Sequence, residues 1–206
     1  MRCYDIKQGE QEWEKMRLSM PTASNFHRII TPTGKKSEQS DQYMRELIAE
    51  RIRGARFEKF KKTASMERGN ELEEQAAQTY ALLRGIEPQK VGFITNDEGT
   101  IGCSPDRLLG DDGLLEIKCP DPDTMVSYML KGKLEQTYRP QTQGQLWIAE
   151  RKWGDTIAYD DLMVPVIMRS ERDNSFIMDL SRLMNEFLAN MQQAIEDLTK
   201  KGYITQ

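Results

Sequence analysis

"SPDRLLGDDGLLEIKCP", residues 104–120, decides the fold. Leu114, Leu115 and Ile117 follow Asp112-Gly113, a pair suited to a hairpin turn, so the stretch is expected to be two antiparallel strands. Side chains alternate along a strand, which sends Glu116 and Lys118 to one face and Leu115 and Ile117 to the other, into the core. Asp106 stands ten residues before Glu116, and a tight turn through Gly110–Gly113 folds its strand back beside that glutamate. Two converging carboxylates raise each other's pKa unless a cation separates them, and hard oxygen ligands favour Mg²⁺ or Mn²⁺ over zinc. An ion held this way keeps waters, acidifies one of them and neutralises charge on a scissile phosphate, with Lys118 placed to hold or deprotonate that water. The alternative is a plain Glu116–Lys118 ion pair on an exposed face. Glu-x-Lys alone does not discriminate between the two; Asp106 after Ser-Pro, together with the apolar residues, favours catalysis.

Composition narrows the chemistry further. The 206 residues suffice for one domain, expected over 1–206, and 38% hydrophobic content suffices for a core. No run of eighteen apolar residues and no charged-then-apolar leader is present, so a cytoplasmic protein without a membrane partner is expected. Cys3, Cys103 and Cys119 are far apart and lack CxxC spacing, which argues against a disulfide frame or a zinc ribbon. A single histidine, His27, leaves little room for Ser-His-Asp or histidine-zinc hydrolysis, and the absence of GxxxxGK and GxGxxG removes nucleotide-binding loops. The net charge of -4 does not exclude nucleic acid, because binding responds to the local field. Arg51, Arg53, Arg56, Lys59, Lys61 and Lys62 cluster against the single acid Glu58, a solvated helix face on the simplest interpretation.

Periodicity predicts a helix from Ser40, carrying Tyr43, Met44, Leu47, Ile48 and Ile52 and ending near Gly54. A second is predicted over 66–83 with a stripe of Leu72, Ala76, Tyr80 and Leu83, capped by Gly85. "KVGFIT", "TIGCS" and the hairpin are expected to form an antiparallel meander, followed by helices over 123–130 and 136–151, with Pro140 in a first turn. "DTIAYD" and "LMVPVIM" read as strands, and Phe176 to Leu198 as a long closing helix.

Pro105-Asp106 with Glu116-Ile117-Lys118 resembles the PD-(D/E)xK nuclease signature. "WEKMRLSMPTAS" (13–24), "ERGNELEEQA" (67–76), "CSPD…LLEIKCP" and "YRPQTQGQLW" (138–147) together resemble, in order, the phage lambda exonuclease family of viral alkaline exonucleases. The resemblance implies an α/β, restriction-endonuclease-like core with a central mixed sheet flanked by helices. It also implies a ring-shaped homotrimer that digests one strand of linear double-stranded DNA 5′ to 3′, beside a single-strand-annealing recombinase. By motif position Asp106, Glu116 and the Ile117 carbonyl would ligand two Mg²⁺ ions, Mn²⁺ substituting, with Glu73 completing the acidic cluster and Lys118 serving the attacking water. Arg17, Ser24 and Ser104 match the family's pocket for a 5′-terminal phosphate, which a guanidinium fork and hydroxyls suit. Gln141, one turn before Gln145, matches a glutamine beside the active site, and Trp13 would either meet the terminal base pair or anchor a helix. The chain departs from the pattern after Pro32, where Thr33 replaces an expected arginine, with Lys35 and Lys36 nearby. Four clustered cysteines, needed by a Cas4-like nuclease, are absent; a RecB-type nuclease, an endonuclease and a non-catalytic DNA-end-binding module remain alternatives.

Overall fold

The computed structural model describes residues 1–56 and 64–204, with side chains in the first part of the second segment described from Leu72 onward. Lys59, Lys61, Lys62 and Glu58 of the basic cluster, and Glu67 to Glu71 of the "ERGNELEEQA" block, therefore lie outside the described residues or side chains. The α-helices among the described residues are α1 (Gln11–Met16), α2 (Ser40–Arg53), α3 (Ala64–Arg84), α4 (Pro122–Lys131), α5 (Arg139–Ile148) and α6 (Asn174–Lys200). The strands among the described residues are β1 (Arg2–Tyr4), β2 (Gln89–Lys90), β3 (Phe93–Thr95), β4 (Gly102–Cys103), β5 (Arg107–Leu109), β6 (Gly113–Lys118), β7 (Trp153–Ala158) and β8 (Val166–Glu171).

The larger sheet runs β2-β5-β6-β7-β8, with β6 and β7 parallel and every other pair antiparallel. This is the mixed sheet between helices that the family resemblance implies, but the antiparallel meander expected from the strand pattern is corrected. β3 and β4 leave it to join β1 in a separate three-stranded sheet, and β6 takes as its inner neighbour a strand that follows two helices. Alternation along β6 and β7 sorts the helices: Leu115 and Ile157 pack with Ala76 and Tyr80 of α3, whereas Ala158 and Met168 pack with Met125 and Tyr128 of α4. Leu114 shares the second face, and a side chain at Gly154 would meet both Leu114 and Leu146 of α5. A further core joins α2 and α6 to the 3₁₀ segment Ala23–Arg28 through Phe26, Tyr43, Leu47, Leu180 and Phe187.

Helix ends follow the expected chemistry with local differences. Gly54 closes α2 in the left-handed region, and Gly85 follows α3 at φ +66°. Leu83 is exposed, so the α3 stripe ends at Tyr80. The predicted 136–151 helix begins as a 3₁₀ turn, Gln136–Tyr138, and becomes α-helical at Arg139, where Pro140 falls in the first turn and needs no donor. In "LMVPVIM" the strand starts only at Val166; Pro165 cannot donate to a ladder, and Leu162 and Val164 are exposed. The described helices include none long and apolar enough to cross a membrane.

Candidate active site

The site grows out of the β5–β6 register. Arg107 pairs with Leu115, which sets Asp106 opposite Glu116 on the face that looks toward α5. Asp106 Oδ2 accepts the backbone N–H of Ile117 at 2.6 Å, locking the two strands together at the acidic pair. Lys118 Nζ donates to Glu116 Oε1 at 2.7 Å and lies 5.2 Å from the centre of the Tyr138 ring. From α5, Gln141 Nε2 donates to Glu116 Oε1 and Gln145 Nε2 to Glu116 Oε2, each at 2.7 Å. Those glutamines sit one helical turn apart and so present to the same carboxylate.

The electrostatics are those of a cation site. Burial, then the charge of Glu116 and, less strongly, that of Glu73, holds the Asp106 carboxyl well above its ordinary value against the opposing pull of Ile117 N–H and Lys118. Burial also disfavours the Lys118 ammonium, but Glu116 and Asp106 outweigh it and shift its pKa upward, which makes Lys118 a cationic donor in the metal-free chain. No cluster of three or more Asp, Glu, His or Cys suited to a metal forms among the described residues. Two hard carboxylates with a neighbouring backbone carbonyl nevertheless fit Mg²⁺, which uses few protein ligands and retains waters. An Asp106 carboxylate disfavoured by burial and by the charge of Glu116 is the local feature that such an ion would relieve.

Glu73 is the expected residue that comes near without joining the pair. Its Oε1 accepts Arg107 Nη1 at 2.6 Å, because Arg107 shares the face of Leu115 and points to α3. Glu74 accepts the other Arg107 nitrogen at 3.3 Å and Lys90 at 2.9 Å.

Arg17, Ser24, Ser104 and Trp13 form a second group. Trp13 Nε1 donates to Ser104 Oγ at 2.8 Å, and the Arg17 guanidinium lies 3.9 Å from the Trp13 ring centre. Arg17 Nη2 reaches Thr22 Oγ1 and Ser24 Oγ only at 3.5 Å, and its buried Nε has no partner among the described residues. Burial, reinforced by the charge of Arg56, pushes the Arg17 pKa down to about 10. A desolvated guanidinium with slack hydrogen bonds is poised for an anion. It borders a cavity of about 460 Å³ that also takes in Thr22, Asn25, His27, Arg28 and Arg56. The parallel bridge between Thr22 and Gly102 places the segment before Ser24 beside the one before Ser104. Gly144 lets α5 approach that segment: a Cβ there would lie 2.4 Å from Phe26.

Sequence reasoning did not assign roles to Gln145, Tyr138 or Thr22. The i,i+4 spacing of Gln141 and Gln145 was the available signal for the first; the other two depend on contacts across distant elements. Lys35 and Lys36 are exposed, Lys36 lying 3.7 Å from Asp41, and Arg139 Nη1 ties the loop to α5 through the Pro32 carbonyl.

The fold is that of phage-related exonucleases of the PD-(D/E)xK type. An alkaline exonuclease from Laribacter hongkongensis, LHK-Exo, is similar at 34% identity and a TM-score of 0.84, over 94% of this chain and 98% of that one. Its complex with dAMP matches with the same figures. A phage-related exonuclease from Haemophilus somnus 129PT shares the fold, with a TM-score of 0.67 and 18% identity over 87% of this chain and 96% of that one. None of the curated proteins matches. The strand register that joins Asp106 to Glu116 lies within residues 12–152, which match the YqaJ-like viral recombinase domain, and the chain belongs to that family, whose members are lambda-exonuclease-like.

Proposed function

We propose that the protein is a metal-dependent exonuclease that removes one strand of linear double-stranded DNA in the 5′-to-3′ direction and leaves a 3′ single-stranded overhang for recombination by strand annealing. The observation that carries this reading is the Asp106–Glu116 pair with Lys118 bound to the same carboxylate, the arrangement a phosphodiester hydrolase needs. The alkaline exonuclease similarity and its dAMP-bound form support DNA as the substrate class.

Asp106 and Glu116, with the Ile117 carbonyl, would hold Mg²⁺ or Mn²⁺, two ions where Glu73 turns from Arg107 to the pair. The chemistry supplied by such an ion is acidification of water and neutralisation of phosphate charge. Lys118, kept protonated by Glu116, donates to the attacking water or the phosphate oxygen and stabilises the charge that develops there. Gln141 keeps Glu116 turned toward Asp106. Arg17, Ser24 and Ser104 take a 5′-terminal phosphate, and Trp13, its N–H engaged by Ser104, presents a fixed aromatic edge to the terminal base pair. A homotrimeric ring, a single-strand-annealing partner and a phage or prophage protein acting in a bacterial cytoplasm belong to the same proposal.

The test is cleavage of linear duplex with and without a 5′-phosphate, beside a covalently closed circle, in Mg²⁺ or chelator. Mg²⁺-dependent loss of the phosphorylated linear strand from its 5′ end is expected. Nicking of the circle would establish an endonuclease, no metal-dependent product a binding module, and equal rates on both linear ends would remove the role given to Arg17.

A further inference from the structure

Glu116 is held by three donors that are unevenly distributed. Lys118 and Gln141 both bond Oε1, while Oε2 receives only Gln145 among the described residues. With one oxygen anchored a carboxylate can still swing about its terminal torsion, which is broad; with both anchored it cannot. Gln145 is 2% exposed, and its amide orientation is dictated by chemistry. An ionised carboxylate only accepts, so the amide must turn its nitrogen to Glu116 and its oxygen away. That oxygen, Oε1, is buried and takes no hydrogen bond from a described residue. A buried acceptor left unpaired is destabilising, a cost not expected of a glutamine whose role is packing alone.

We propose that Gln145 is a positioning residue of the hydrolytic site, distinct in role from Gln141. Its nitrogen sets the orientation of Glu116, and its oxygen, unpaired among the described residues, accepts from a bound water. The inference rests on Asp106 and Glu116 being the cation ligands. Gln143 on the same helix provides a contrast: it is 5% exposed but bonds the Glu171 carbonyl and the Asp173 N–H, a structural bridge to the end of β8 and the start of α6.

The experiment measures Mn²⁺ binding by calorimetry, without DNA, for the wild-type chain, Gln145→Met, Gln143→Met and Asp106→Asn/Glu116→Gln, with circular dichroism as the check on folding. Second-sphere partners of ligating carboxylates are worth about 10- to 100-fold in metal affinity. Gln145→Met is therefore expected to weaken Mn²⁺ binding by that factor, and to raise the Mg²⁺ concentration for half-maximal cleavage while the KM for DNA stays unchanged. Gln143→Met should lower Tm and leave Mn²⁺ affinity alone. Equal Mn²⁺ affinity for wild type and Gln145→Met overturns the inference, as does an equal loss in both glutamine variants. Should Gln145→Met not fold, Gln145→Asn, too short to reach Oε2, carries the same expectation. Wild-type binding that survives the double carboxylate change, or no wild-type binding, overturns the metal-site reading itself and the inference with it.

Discussion

Replacing Lys118 with methionine keeps the length of the side chain and removes its charge. Glu116 loses the 2.7 Å bond to Oε1 but retains Gln141 on that oxygen and Gln145 on Oε2, so the carboxylate stays placed. The lost interaction is a cationic donor at the reacting phosphate; deleting one preorganised donor of that kind lowers kcat about 10²–10³-fold, roughly 2.7–4 kcal/mol. End affinity should change little, because the contact matters most in the transition state. Single-turnover cleavage of a 5′-phosphorylated duplex in Mg²⁺ and fluorescence anisotropy of end binding in Ca²⁺ separate the two quantities. A decrease under about tenfold, or a loss of end affinity as large as the loss of rate, would refute the assigned role.

Three further outcomes are expected. Asp106→Asn keeps an acceptor for Ile117 N–H and removes a buried charge. Because the folded-state pKa of Asp106 is raised, its contribution to stability is complete below the ordinary aspartate value and is lost as pH rises through the folded one. The metal-free variant should thus melt higher than wild type at neutral pH, about 2–4 °C per kcal/mol at this chain length, while failing to cleave; a lower Tm would contradict the electrostatics. Gly144→Ala places a Cβ 2.4 Å from the fully buried Phe26 ring and is expected to cost about 1–3 kcal/mol in urea unfolding despite the better helix propensity of alanine. Asp173→Ala removes the cap that accepts Phe176 N–H at 3.0 Å, a loss of about 0.5–2 kcal/mol with nothing added for its solvent-screened pair with Arg139. The Phe176 N–H and then Arg139 depress the Asp173 pKa, so the difference from wild type should be full above the ordinary aspartate range and vanish as pH falls through the lower folded value.

The hairpin was legible because its instructions are local: Gly at the turn, alternation along β6, and a ten-residue separation that can close only by pairing Asp106 with Glu116. The α2, α4 and α6 segments were legible for the same reason, as apolar residues at helical spacing with glycine or proline near their ends. Pro165 and Leu83 misled because apolar character says nothing about where a ladder needs a donor or which side of a helix meets a neighbour.

By itself the sequence determined which carboxylate and which lysine share one face of a strand, since a period of two leaves no choice once the strand forms. Only the tertiary structure decided that β6 lies parallel to β7 and that α5 crosses the same face. It also decided that Arg107 holds Glu73 beside the acidic pair without joining it and that Gln145 grips the second oxygen of Glu116. Those contacts join residues far apart along the chain, where no local periodicity or spacing constrains their meeting, and packing alone brings them together.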